Sequence, residues 1–449
     1  MDFPYVKQLA MPVIGLEAEF KAFVDGEEVI PEDYWRTPSG FIEQPLMRRT
    51  SKSSQLPTGG ALYFDGGVVE VVTPVIEIAP QCTARAVRSL WEQLGFVRDQ
   101  LDAWESRSGH RVSLQAFSCH FNISFELARE ERGRDRTIQK LALLLAHLLP
   151  VPVIVVGSNR GSSGIGVRPR RDRIEITLDF TPDPGLMSAT MALIAGIVRE
   201  VISWPSYRVD TLAGIPRITG VEPGRHPSRN GWVTRDYHFP RNPFTTPVDD
   251  TIWNTTDGRT LSLRAIALEI AHRFRDSIRT HGDPFSHRVL FSLLRGKTPS
   301  LLELGERPAA YDDVGRSTRW GEVLPELENF QHLMAEGEPK RRRADLEELA
   351  PPWRGERVDR RTQMREPERR RRPHTPSRRL SRSAYEQVFL DAVRGATLRV
   401  DGQSLTPIGI KGWYHVVFRT DSGEEKLLSL DQVLTLGSNA DQRNSVTKG

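Results

Sequence analysis

Glu17 and Glu19 stand two apart in Pro12–Phe23 (PVIGLEAEFKAF), where Leu16, Ala18, Phe20 and Ala22 alternate with Glu17, Glu19 and Lys21. A period of two is the pattern of a half-buried strand, so both carboxylates fall on one face. Like charges side by side on a strand repel, and a bound cation is one reason to keep them there. A second pair of acids lies in Ala61–Pro74 (ALYFDGGVVEVVTP): Asp65 ends an apolar strand, Gly66-Gly67 turns the chain, and Glu70 stands in the next strand. Phe117–Phe125 sets Cys119, Phe121, Ile123 and Phe125 against His120, Asn122 and Ser124. Arg173–Phe180 sets Ile174, Ile176, Leu178 and Phe180 against Arg173, Glu175, Thr177 and Asp179. Four strands, each with an apolar face and an ionisable one, describe a sheet whose polar side is the floor of a site.

Phosphate chemistry has its own candidates. Gly157–Gly166 (GSNRGSSGIG) has the glycine content of a phosphate loop but lacks the Lys-Ser/Thr of a Walker motif. Arg168, Arg170, Arg171 and Arg173 follow it, and arginine forks match phosphate oxygens.

Elements able to cover the apolar face lie between the strands. Thr83–Ser106 carries Val87, Leu90, Trp91, Leu94, Val97, Leu101 and Trp104 at helical spacing, Ile138–Leu149 is apolar nearly all round, and Leu186–Ile202 repeats the helical pattern. These are core helices. With a hairpin turn at Gly66-Gly67 and no Rossmann glycine fingerprint, they predict an α+β domain with an antiparallel sheet. Pro205–Pro247 reads as irregular, with loops over the site. Leu261–Arg279 and Ser286–Leu304 read as further helices, and Tyr385–Val393 as another. Thr397–Leu436 reads as short strands with turns at Asp401-Gly402 and Asp421–Gly423.

At 449 residues the chain exceeds what one core normally supports. The expected division is a catalytic domain over 1–335, a basic linker over 336–383 and a small β-rich domain over 384–440. Between Lys340 and Arg382 there are 16 Lys/Arg against 7 Asp/Glu, a local charge of +9 that leaves the rest of the chain at −5. That segment is rich in Pro and Arg and poor in bulky apolar residues, which predicts a solvated tether. Docking of nucleic acid or an acidic partner is the less favoured alternative. No apolar run reaches the roughly 20 residues of a membrane span. Met1–Ala10 lacks the order of a signal peptide, so the expected location is the cytoplasm. Cys82 and Cys119, the two cysteines, fit a reducing compartment and give no zinc motif.

Taken in order, IGLEAEF (Ile14–Phe20), GGALYFDGGVVE (Gly59–Glu70), SCHFN (Ser118–Asn122) and the Arg173 strand with its following helix resemble the motifs of the Pup ligase and Pup deamidase family. These proteasome accessory enzymes of bacteria stand within the wider glutamine synthetase-like carboxylate–amine ligase group. The resemblance covers the first half of the chain and thins beyond it. It implies a glutamine synthetase-like cradle that binds ATP and Mg²⁺, phosphorylates a carboxylate and passes the acyl group to an amine. It also implies the partners: a small Pup-like protein modifier ending in Glu or Gln, and lysine-bearing protein substrates. By the same resemblance Glu17, Glu19, Tyr63 and Glu70 belong to the metal site and Asp65 is the catalytic aspartate. His120, Asn122 and Arg173, with Arg168, Arg170 and Glu175 beside them, face nucleotide or phosphate.

The chemistry asks for such residues independently. Mg²⁺ takes oxygen ligands, arginines neutralise phosphates, and a protonated lysine needs a base, for which Asp65 in a partly buried setting is the candidate. Between Asp65 and Glu70 the chain is shorter by one residue than the Pup enzymes and has Gly66-Gly67-Val68-Val69 in place of their polar turn. Glu19 and Asp65 lie 46 residues apart, a spacing similar to the ligases. A deamidase or isopeptidase with Asp65 as nucleophile stays open beside the ligase. So does a non-catalytic nucleic-acid-binding protein using the Arg-rich segment.

Overall fold

A computed structural model describes residues 12–49, 53–124, 134–170, 173–226, 230–316, 384–400, 402–411 and 415–436. The fold is α+β. Its centre is one antiparallel sheet of 12 strands, in which Trp232–Arg235, Gly164–Pro169, Arg173–Leu178, Val112–Ser124, Val13–Val24, Val68–Val72 and Ala61–Asp65 follow one another across the molecule. Alternation decides which side of each strand is covered. Leu16, Ala18, Phe20, Cys119, Phe121, Ile174 and Ile176 are all but inaccessible and form one apolar face. Cys82–Ser108, Arg134–Leu148 and Pro184–Ile202 lie over it, and Phe180 meets Phe20 edge-on at 5.1 Å and stacks on Trp91 at 5.7 Å. Burying each such ring contributes about 1.5–3 kcal/mol, enough to fix which face turns inward.

Among the described residues one helix, Pro184–Ile202, is long and apolar enough to cross a membrane, and most of it is buried inside the fold. Asp183 caps it, accepting from the Gly185 and Leu186 amides, and Cys82–Ser108, Arg275–His281 and Pro284–Leu294 pack around it.

Several elements differ from the sequence expectation. Leu261–Arg279 is two helices, Leu263–Arg273 and Arg275–His281, broken where Phe274 leaves helical geometry to stack on Trp204 in the core. Ser286–Leu304 is a helix, Pro284–Leu294, then a turn at Gly296 (φ +68°) and a short 3₁₀ segment at Leu301–Glu303. A separate buried helix, Pro150–Gly157, follows Arg134–Leu148. Pro205–Pro247 does more than loop. Gly224–Arg225 and Trp232–Arg235 extend the sheet at its edge, with the Arg225 guanidinium 4.1 Å from the Trp232 ring centre.

After residue 384 come the helix Ala384–Val393 and a four-stranded antiparallel sheet from Leu398 to Ser429. Phe389, Val416, Phe418 and Leu430 form a second core, which also takes in Val13 and Val75 from the large domain. The expected linker, 336–383, lies outside the described residues.

Candidate active site

Partners in an antiparallel sheet share a face, so register alone arranges the polar side chains into rows. In the first, Tyr63 pairs with Glu70, Glu70 with Glu19, and Glu19 with Ser118. In the second, Glu17 pairs with His120, His120 with Thr177, and Thr177 with Gly166. The third runs from Gly15 through Asn122 and Glu175 to Arg168. Rows two residues apart lie about 7 Å from one another. Ten of the eleven candidates named above therefore lie along neighbouring rows and their ends, Arg170 and Arg173 closing the third. Gly166 is needed at its position because a Cβ there would sit 2.1 Å from Thr177 Oγ1.

The contacts tighten this floor into one network. His120 Nδ1 lies 3.1 Å from Glu17 Oε2, Arg168 Nη2 lies 3.3 Å from His120 Nε2, and Ser118 Oγ donates to Glu19. With Arg168 donating to Nε2, the His120 proton sits on Nδ1 and points at Glu17. Glu175, with no solvent access, is held by Arg168 and by Arg170, whose Nε is 2.7 Å away. Arg173 Nε donates to Asn122 Oδ1 at 2.8 Å. Arg171 lies outside the described residues.

Burial pushes the Glu17 carboxyl up, but the His120 hydrogen bond and the charges of Arg173 and Arg170 leave it below the usual carboxylate range. Glu70 goes the other way. Burial, and the carboxyl of Glu19 in hydrogen-bond contact with it, raise Glu70 well above that range, although Tyr63 donates to it. The Tyr63 hydroxyl is itself pushed up, by burial and then by Glu17 and Glu70. Two carboxyls in contact need a proton or a cation between them.

A divalent cation meets that need. Ligand atoms of Glu17, His120 and Glu175 lie within 4.8 Å of one another, with Glu19 and Glu70 in the adjoining row. The carboxylates of Glu17, Glu19 and Glu70 are hard oxygen donors that suit Mg²⁺ or Mn²⁺, so the residues present fit the ion, while Glu175 is already closed on by Arg168 and Arg170.

Asp65 stands apart. It shares its face with Tyr63 one row further out, at the mouth of the hairpin, and it is exposed. The partial burial expected of it is absent, because its pairing partner is Val68 and the turn beyond is two glycines open to solvent.

Three residues join the site beyond those the sequence nominates. Arg49 is buried near Tyr63 and Glu17, and burial lowers its guanidinium to about 10, which leaves it charged at neutral pH. Ser118 stands at the head of the SCHFN motif, where a lone serine carries no signal of its own. Asp179 faces a cleft with Ser118 and His120, and burial raises its carboxyl to about 6.

Open space adjoins the network on two sides. A cavity of about 220 Å³ is lined by Glu17, Asn122, Arg173 and Val75 of the large domain and by Lys411 and His415 of the small one. A cleft of about 300 Å³ is lined by Ser118, His120, Arg168, Asp179 and Arg235. The glycine-rich stretch borders this second space with Ser162, Ser163 and Gly164. Its Asn159 amide donates to Asp179 at 3.3 Å, so part of the loop holds a carboxylate. At the rim a β-bulge opposite Glu19 and Phe20 leaves Phe117 unpaired and 53% exposed.

No family model matches the sequence, and no curated protein matches it. Among solved structures, the chain is similar to the crystal structure of the complex between the prokaryotic ubiquitin-like protein Pup and its ligase PafA. The TM-score is 0.45 at 11% sequence identity, with 97% of this chain and 95% of that chain covered. A likeness that distant says nothing about activity.

Proposed function

We propose that this chain is an ATP- and Mg²⁺-dependent carboxylate–amine ligase that activates a glutamyl side-chain carboxylate as an acyl phosphate and joins it to an amine. The observation that carries this reading is the pairing of Glu19 with Glu70 across adjoining strands beside the Glu17–His120 pair, with open space on either side. Glu17, Glu19 and Glu70 would hold Mg²⁺, with Tyr63 donating to Glu70 to keep its carboxyl oriented. When bound, the ion would supply positive charge to neutralise the nucleotide's phosphates.

The protein's own residues do the rest. The cavity of about 220 Å³ has apolar walls for a nucleoside, with Arg173 and Lys411 to meet its phosphates. Asn122 orients Arg173. Glu175 fixes Arg168 and Arg170, so it acts through those arginines and leaves the phosphate to them. Arg49 adds a buried positive charge beside Tyr63 and Glu17. At the mouth, Asp65 is the group to take a proton from the incoming amine; its exposure admits a macromolecular acceptor.

The finer statement is that the carboxylate belongs to a Pup-like modifier and the amine to a protein lysine. It is supported by the order and spacing of the four motifs and by the 46-residue separation of Glu19 and Asp65. Incubating the full chain with ATP, MgCl₂, a peptide ending in glutamate and a lysine-bearing protein should release ADP in step with conjugate. Asp65→Asn should abolish conjugate while leaving ATP–Mg binding measurable by calorimetry. Conjugate formed at the wild-type rate by that variant would remove Asp65 from its role. Turnover of a glutamine-ended peptide without net ATP use would instead identify the hydrolase of the same fold.

A further inference from the structure

Asp65 ends its strand at the mouth of the site, and the turn beyond it is tied down from outside the sheet. The hairpin is closed by the Asp65–Val68 pair, and in a two-residue turn of this kind the Gly67 N–H points away from the ladder. Glu32 Oε1 accepts that N–H at 3.2 Å, from a position 35 residues earlier in the chain. The turn has no side chain of its own to do this, since both of its residues are glycine.

Glu32 is carried by a single helical turn, Pro31–Tyr34, and the residue after that turn, Trp35, is buried. The Trp35 ring lies 6.3 Å from that of Phe64 and meets Phe41 and Trp104 edge-on at 5.3 and 5.7 Å. One short element therefore grips the chain on both sides of Asp65: Phe64 before it by packing, and Gly67 after it by a hydrogen bond. The second oxygen of Glu32, Oε2, is inaccessible and has no hydrogen-bond partner among the described residues. A buried carboxylate oxygen without a donor destabilises a fold, so stability alone gives no reason to keep one beside a turn that glycine already shapes.

We infer, resting on the ligase reading above, that Glu32 is a positioning residue for Asp65. It fixes the hairpin so that the Asp65 carboxylate stays where it can take a proton from the acceptor amine, and it has no part in binding nucleotide or in activating the donor carboxylate. Loss of the Gly67 contact frees the turn, and displacing a reacting group by about 1 Å costs up to roughly a hundredfold in rate.

Hydroxylamine separates the two halves of the reaction. It is uncharged at neutral pH, so it displaces phosphate from an acyl phosphate without a protein base, giving a hydroxamate while its proton passes to water. The full chain is supplied with ATP, MgCl₂ and a peptide ending in glutamate, and with either hydroxylamine or a lysine-bearing protein as acceptor. Glu32→Ala is expected to lower kcat for lysine conjugation at least about tenfold while forming hydroxamate at the wild-type rate. Glu32→Gln, which keeps an oxygen to accept the Gly67 N–H, should restore most of the lysine rate. Lysine conjugation by Glu32→Ala at the wild-type rate, an equal fall of both products, or no recovery in Glu32→Gln overturns the assignment. A wild type that forms hydroxamate but no lysine conjugate removes lysine as the acceptor and this assignment with it. A wild type that forms neither product overturns the ligase reading itself, which separates the two failures.

Discussion

Glu175 has no solvent access, and two guanidiniums close on it. Removing one side of such a buried network leaves uncompensated charge, at a cost of about 3–5 kcal/mol. Glu175→Ala should therefore lower Tm by several degrees, and calorimetric ATP binding should weaken because Arg168 and Arg170 lose their anchor. Asp179 gives a prediction of opposite sign. Burial raises its folded value to about 6 from an ordinary 3.8, so the stability linked to it is whole below the lower value and is lost as pH rises through the upper one. Asp179→Asn should melt above the wild type at pH 8, and the gain should vanish at pH 4. A variant no more stable at pH 8 would contradict the burial argument. Period-two alternation by itself makes Glu17, Glu19, Glu70, His120 and Asn122 legible as one face. Arg49 is not legible, because it comes from a stretch with no such period. Asp179 is visible as a polar-face residue, but its partner, the Asn159 amide, lies on a loop whose return to the strand is decided by tertiary packing.

Among elements, the Gly66-Gly67 hairpin is the simplest to test. Both glycines have positive φ, +63° and +88°, as a two-residue turn of primed type requires. Nothing lies within 4 Å of a Cβ built at either, so conformation alone sets the cost of substitution. Gly66→Val should cost about 1–2 kcal/mol in thermal melts, whereas Gly66→Asn, which tolerates the left-handed region, should stay close to the wild type. Equal losses for both would point to a contact of the turn. That turn and the strands beside it are readable from the alternation and the two glycines. The helix Pro150–Gly157 is not, since a segment apolar on every side has no period to detect. The break at Phe274 is hidden for a related reason: helical spacing continues through it, and the burial of Phe274 against Trp204 interrupts the helix.

For the whole molecule, the small C-terminal sheet matters as a wall of the larger domain's cavity. Phe389 is fully buried in the second core, and truncating such a ring costs about 3–5 kcal/mol. Phe389→Ala should speed limited proteolysis within 384–436 and weaken ATP binding, because Lys411 and His415 are held in the cavity wall by that core. Unchanged ATP affinity with faster proteolysis would detach the small sheet from the nucleotide. The composition shift before residue 384 makes the module readable, but its seat on Val13 and Val75 is not, since those valines belong equally well to the large core's pattern. The same seat bears on synthesis. Val75 leaves the ribosome roughly 300 residues before Phe389, which at about 5–20 residues per second is roughly 15–60 s. Throughout that interval the end of the first strand carries an apolar patch whose cover has not been made, a window in which chaperones or neighbouring nascent chains compete for it.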